Sequence, residues 1–218
     1  MTTASHHDSG EQAEDISPGT VPELILASGS RSRRHLLSNA AVTFDVEVAN
    51  VDEDEIKLAL RSEGATAAQT AETLAELKAQ RVSRRHPGVL VIGADQMLEC
   101  NGVWFDKPED LAHATAHLTA LSGKAHELLS AVCVVRDGER IWHHNEVARL
   151  TMRSLSDDFI THYLAAVGDN VLTSVGAYQL EGRGAQLFAS IRGDYFSILG
   201  LPLLPLLDFL RVHGVIPK

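Results

Sequence analysis

Cysteine is nearly absent from this chain: Cys100 and Cys133 are the only two in 218 residues. That excludes a small disulfide-built secreted scaffold and makes a reduced, cytoplasmic setting the expectation. Long apolar runs are also missing. Nothing approaches the roughly 18 continuous apolar residues of a membrane-crossing helix, and the opening residues carry no charged-then-apolar secretory pattern. Net positive charge is missing too. The formal charge of −10 argues against a general binder of nucleic acid or of anionic membranes, because the long-range field repels both. Finally, neither G-x-x-x-x-G-K-[ST] nor G-x-G-x-x-G occurs, so the chain has no P-loop and no dinucleotide fingerprint.

What is present fits a globular protein, with 44% hydrophobic and 22% charged residues. The length suffices for one sizeable core or two small lobes. Residues 1–20 are polar and acidic, and a disordered or loosely attached tail is predicted there. No repeat or linker divides the remainder, so residues 21–218 are expected to form one unit.

Within that acidic background one basic stretch stands out, LILASGSRSRRHLL from Leu24 to Leu37. The apolar residues Leu24, Ile25 and Leu26 suit a buried strand, Ser28-Gly29-Ser30 a tight loop, and the residues from Arg34 a helix start. A strand, a small-residue loop and a helix start together aim backbone N–H groups and the helix dipole at an anion. Arg31, Arg33 and Arg34 add planar forks that grip phosphate oxygens in pairs. On residue types alone, a basic first turn facing solvent fits as well as a phosphate site.

Further along, residues 42–48 alternate apolar and polar as a half-buried strand, followed by the acidic group at 52–55. TAAQTAETLAELKAQRVSRR reads as a helix with Ala71, Leu74, Ala75 and Val82 on one face. Lys78 falls on that same face, where it either snorkels to solvent or meets an anion. Val89 to Ile92 reads as a buried strand ending at Asp95, a usual position for a site carboxylate in α/β proteins. Asn101-Gly102 signals a hairpin. Pro108 is expected to open a helix carrying Leu111, Ala114, Leu118 and Leu121, with Lys107 just ahead of it. Two segments, 126–135 and 140–151, read as a long hairpin, Ser156 caps a helix that ends at Gly168, and Pro202 opens a terminal helix. A further hairpin is predicted from residues 187–191 and 195–199 around Gly193-Asp194.

Eight pieces in order resemble the Maf family of nucleoside triphosphate pyrophosphatases: LASGSRSRRHLL, DE at 52–53, LAELKAQRV, IGAD at 92–95, DKP at 106–108, LSGKAH, SVGAYQLEG and GDYFSILGLPL. They cover residues 24–211. The resemblance implies a two-lobed α/β fold, an elongated mixed sheet flanked by helices with a cleft between the lobes, as in inosine triphosphatase-like proteins. It implies hydrolysis of a nucleoside triphosphate to monophosphate and pyrophosphate with a divalent metal, Mg²⁺ or Mn²⁺, and a homodimer. Carried onto matching positions, Ser28, Arg33 and Arg34 fall in the phosphate-binding loop, and Glu53 and Lys78 at further site positions. Asp95 matches the central catalytic carboxylate, Lys107 the lysine of the KP motif, and Glu181 a position tied to base recognition. Arg31 replaces the proline usual in the first loop. Glu181 stands where the branch acting on dTTP and UTP has glutamine, while Gly176-Ala177-Tyr178 is similar to that branch, which leaves dTTP, UTP and 7-methyl-GTP open.

Four negative charges on a bound triphosphate need cations and a metal to offset them. Arg33, Arg34, Lys78 and Lys107 are the expected cations, and Glu53 and Asp95 the expected hard oxygen ligands. A nucleotidyltransferase and a non-catalytic nucleotide-binding regulator of cell division are the competing readings. His113 and His117, at i and i+4, lack a third metal ligand, and Cys133, set among valines, reads as core.

Overall fold

The computed structural model describes residues 24–218, so the tail expected over residues 1–20 lies outside the described residues. The architecture is mixed α/β, an open seven-stranded sheet flanked by helices. The strands are β1 (Leu24–Leu26), β2 (Asp45–Val46), β3 (Leu90–Cys100), β4 (Val103–Phe105), β5 (Ala125–Arg136), β6 (Glu139–Met152) and β7 (Phe188–Arg192). The helices are α1 (Arg31–Asn39), α2 (Glu53–Ser62), α3 (Ala67–Ser83), α4 (Leu111–Leu121), α5 (Asp157–Val167), α6 (Tyr195–Ile198) and α7 (Leu203–Val212). Three short 3-10 segments lie between Gly168 and Leu187.

The strands run in the order β2-β1-β3-β5-β6-β7, with β4 also paired to β3. β3 is the spine. One edge pairs with β5 in antiparallel register from Val91 to Glu99. The other edge is shared: residues 90–92 pair in parallel with β1, and residues 98–100 pair antiparallel with β4. Among the described residues, 93–97 therefore have no strand on that edge.

Period-two alternation sends the side chains of β3 into different cores. Leu90, Ile92 and Ala94 join residues of α1 and α7, whereas Val91 and Met97 face the alanine stripe of α3. Leu98 and Cys100 enter a third cluster with Leu118 and Leu121 of α4 and Ile160 and Leu164 of α5. Helix α3 sits unusually close to the sheet. A Cβ placed on Gly93 would overlap the Ala75 carbonyl oxygen and lie 2.8 Å from the Ala79 methyl. Glycine on the strand facing alanines on the helix makes that approach possible, and a Thr66–Gln69 capping box fixes where the helix begins.

Several local expectations are corrected. Of the strand expected over 42–48, only Asp45 and Val46 pair, and Val46 and Val48 are exposed at an edge where β2 pairs with no further strand among the described residues. Residues 195–198 form α6, not a hairpin arm. Asp194 accepts from the Ser197 amide and hydroxyl, and that N-cap turns the chain away from β7. Asp110, not Pro108, caps α4, its carboxylate accepting from the His113 amide. The acidic group at 52–55 is the cap and first turn of α2, where carboxylates are favoured by the helix dipole.

Candidate active site

A cleft of about 710 Å³ opens where β3 changes partner. One wall is built by the loop after β1, the start of α1, and α2 and α3; the other by residues 172–181. At its floor is Asp95, which lies in the interior of β3 and not at the strand's end as the sequence suggested. Asp95 and Gly93 share one face of the strand, so the close seating of α3 over Gly93 also brings Lys78 onto Asp95. The Lys78 ammonium donates to Asp95 Oδ1 at 2.6 Å and contacts Glu53 Oε1 at 2.7 Å. Lys78 is only 7% exposed. Reading the helix face alone would send this side chain out to solvent. It turns inward because two carboxylates meet it there.

Arg33 performs a different task from the one its charge suggested. Its Nη1 donates to Ala94 O at 2.9 Å and to Ser28 Oγ at 3.0 Å, and its Nε donates to Gly200 O at 2.8 Å. Ala27 N donates to Ile92 O, the last such bond made from the β1 side. The guanidinium thus continues the hydrogen bonding of β3 at Ala94, where strand pairing has stopped. Nη2 takes no part in these bonds, and Arg33 still lines the cleft. Burial pulls its pKa below the ordinary arginine value, opposed by Asp95 and Glu53.

The charges lining the cleft balance. Arg31, Arg33, Lys57, Lys78 and Lys107 face Glu53, Asp54, Asp95, Asp106 and Glu181. Lys57 and Asp106 form a pair at 2.5 Å, tying α2 to the segment that carries Lys107. Burial alone would lower the Lys57 pKa; Asp106, then Asp95 and Glu53, hold it above the ordinary lysine value. Burial alone would likewise raise the Glu53 carboxyl. Lys78, with Lys57 and Lys107 behind it, overcomes this and keeps Glu53 below its usual range.

Seven of the eight residues expected from the sequence line this cleft: Ser28, Arg33, Glu53, Lys78, Asp95, Lys107 and Glu181. Arg34 does not. It is exposed on α1 outside the lining, because the helix begins at Arg31 and successive residues turn about 100° apart. Lys57 and Asp106 are cleft residues that the sequence reading missed. The signal for Lys57 was its place one turn after Glu53 on the same helix. Gln96 is a third: its Nε2 donates to Ser130 Oγ and to the carbonyls of Ser197 and Ile198, anchoring α6 beneath the cleft. Elsewhere, Cys133 is core, its thiol pushed up to about 12 mainly by burial. His113 pairs with Asp110 and His117 packs edge-on against Phe105. Among the described residues no three His, Cys, Asp or Glu side chains gather as a metal cluster. No helix among them is long and apolar enough to cross a membrane.

Comparison with known proteins places the chain among pyrophosphatases by sequence. A nucleoside triphosphate pyrophosphatase of Paramagnetospirillum magneticum is 59% identical over 87% of this chain and 98% of its own length. One of Granulibacter bethesdensis is 54% identical over 88% and 97%. A 7-methyl-GTP pyrophosphatase of Rhizobium johnstonii is 52% identical over 90% and 98%. The family described as Maf-like protein matches residues 23–213, well over half of the chain, so the chain belongs to that family.

Proposed function

We propose that this chain hydrolyses a nucleoside triphosphate to the monophosphate and pyrophosphate, with Asp95, Lys78 and Glu53 as the reacting centre. The observation that carries the reading is the convergence of these three side chains, drawn from β3, α3 and α2, on the floor of one cleft that Arg31, Arg33, Lys57 and Lys107 also line. A site of this size holds a nucleotide, and its cations come from segments far apart in sequence. In the reaction a water oxygen bonds to the α-phosphorus and the bond from that phosphorus to the bridging oxygen breaks. Pyrophosphate departs with the bonding electron pair. In this reading Asp95 accepts the proton of the attacking water. Lys78 and Lys107 offset the charge gathering on the leaving group.

The donor set fits a divalent metal brought in with the substrate. Mg²⁺ is commonly held by one or two carboxylates together with substrate phosphates, and Glu53 and Asp95 provide that pair of hard oxygens. Five cations against five carboxylates leave the cleft with no net positive charge to set against a triphosphate, so a metal would add to what Lys78 and Lys107 supply. Bound there, Mg²⁺ or Mn²⁺ would polarise phosphoryl oxygens and screen the leaving group. Opposite, Glu181 presents a carboxylate that only accepts hydrogen bonds. It suits a base edge with adjacent N–H donors, such as guanine or 7-methylguanine.

The test is a panel of dTTP, UTP, CTP, GTP and 7-methyl-GTP with Mg²⁺ or Mn²⁺, no co-substrate added, and monophosphate and pyrophosphate measured together. Equimolar release of both products is expected, with guanine nucleotides ahead. A flat panel under both metals refutes the enzyme reading. Pyrophosphate release only after a phosphorylated acceptor is supplied would establish a nucleotidyltransferase instead.

A further inference from the structure

The cations of the cleft are not equally free to meet a ligand. Lys78 is engaged with two carboxylates, Lys57 with Asp106, and Arg33 with Ser28 and two backbone carbonyls. Arg31 differs. It is exposed at the first position of α1, and its Nη2 donates to Asn170 Oδ1 at 3.1 Å, a neutral partner 139 residues away, just ahead of the segment that builds the opposite wall. Asn170 is tied to that wall: Thr173 Oγ1 donates to Asn170 O at 2.8 Å, and Gln179 Nε2 donates to Thr173 Oγ1 at 3.1 Å. A guanidinium held at the cleft mouth by one exposed bond to an amide loses little on leaving it. It gains a charge-assisted, two-pronged contact if phosphate oxygens arrive.

We propose that Arg31 is a substrate-binding residue of the cleft mouth, parked on Asn170 in the free protein and transferred to the phosphate chain of an entering nucleotide. This rests on the pyrophosphatase reading for the identity of the ligand but not for the contact itself, which any polyphosphate would make.

Inorganic tripolyphosphate with Mg²⁺, titrated calorimetrically into the full chain, reads the contact without a base and without turnover. Replacing Arg31 by glutamine should weaken its binding by about tenfold or more, the range of a lost charge-assisted hydrogen bond. Arg31→Lys should recover part of that, and the salt dependence should be shallower in Arg31→Gln. Replacing Asn170 by alanine frees Arg31 and should tighten binding about twofold to fivefold, whereas Asn170→Asp should weaken it by holding Arg31 with a charge. In the Arg31→Gln background, changing Asn170 should have no effect. Unchanged binding in Arg31→Gln overturns the proposal. So does equal weakening in Arg31→Gln and Asn170→Ala, which would make the bridge a structural strap only. A parent protein that binds tripolyphosphate through Arg31 but releases no monophosphate from any nucleotide would leave this contact standing and remove the enzyme reading.

Discussion

Replacing Gly93 by alanine tests the link between the packing of α3 and the chemistry at Asp95. The added methyl has no room, since it would overlap the Ala75 backbone oxygen and press the Ala79 methyl. Neither is the end of a flexible side chain, so α3 has to move away from β3. Overpacking of a filled core costs about 1–3 kcal/mol, and a clash with backbone belongs at the upper end, near ~3 kcal/mol. For a protein of this size each kcal/mol lowers Tm by about 2–4 °C, which makes the expected drop roughly 6–12 °C. The same movement carries Lys78 off its 2.6 Å contact with Asp95. Misplacing a catalytic group by about 1 Å can cost about a hundredfold in rate, so kcat should fall by roughly ten- to a hundredfold. Differential scanning calorimetry and steady-state kinetics on the nucleotide that the parent hydrolyses best would measure both. A variant whose Tm stays within a degree and whose kcat is unchanged would refute the account of how the helix seats Lys78.

Asp95→Asn removes the proposed proton acceptor while keeping shape, and kcat should fall by about 10²–10⁴; turnover at the parent rate would exclude Asp95 from that role. His126 supplies a pH prediction. It is 2% exposed, hydrogen-bonded through Nε2 to the Tyr178 hydroxyl, and burial lowers its pKa from 6.5 to about 4. Above pH 6.5 the ring is neutral in both folded and unfolded chains and its contribution is complete. As pH falls from 6.5 towards 4 only the unfolded chain takes up the proton, so stability declines, by roughly 3 kcal/mol in all. Thermal unfolding at pH 7 and pH 5 should show the decline, and His126→Gln should flatten it; an equal slope in that variant would count against the buried neutral ring.

Much of the site could be read from the sequence because its parts sit in short local motifs. A strand, a small-residue loop and arginines mark the region of Ser28 and Arg33, and a buried run ending in Gly93-Ala94-Asp95 marks the carboxylate. Periodicity placed Lys78 on the inward face of α3 but could not say what it would meet, because Asp95 and Glu53 reach it only in three dimensions. Arg33 shows the same limit. Its charge and place suggested an anion, yet its partners include a carbonyl 167 residues downstream at Gly200. Arg34, matched to the phosphate loop by resemblance, lies exposed on α1 outside the cleft lining, since the helix already begins at Arg31. At 195–198 the residue types suit a strand, and the Asp194 cap overrides them.

The shared edge of β3 has a mechanical consequence. A carboxylate borne at mid-strand, laced to β5 from Val91 through Glu99, is an anvil: it stays put while other parts swing. Any breathing that admits a nucleotide or releases products belongs to the flanks, α2 on one side, tied in by the Glu53–Lys78 and Lys57–Asp106 pairs, and the 168–181 segment on the other, neither of which is held in the sheet by a strand ladder.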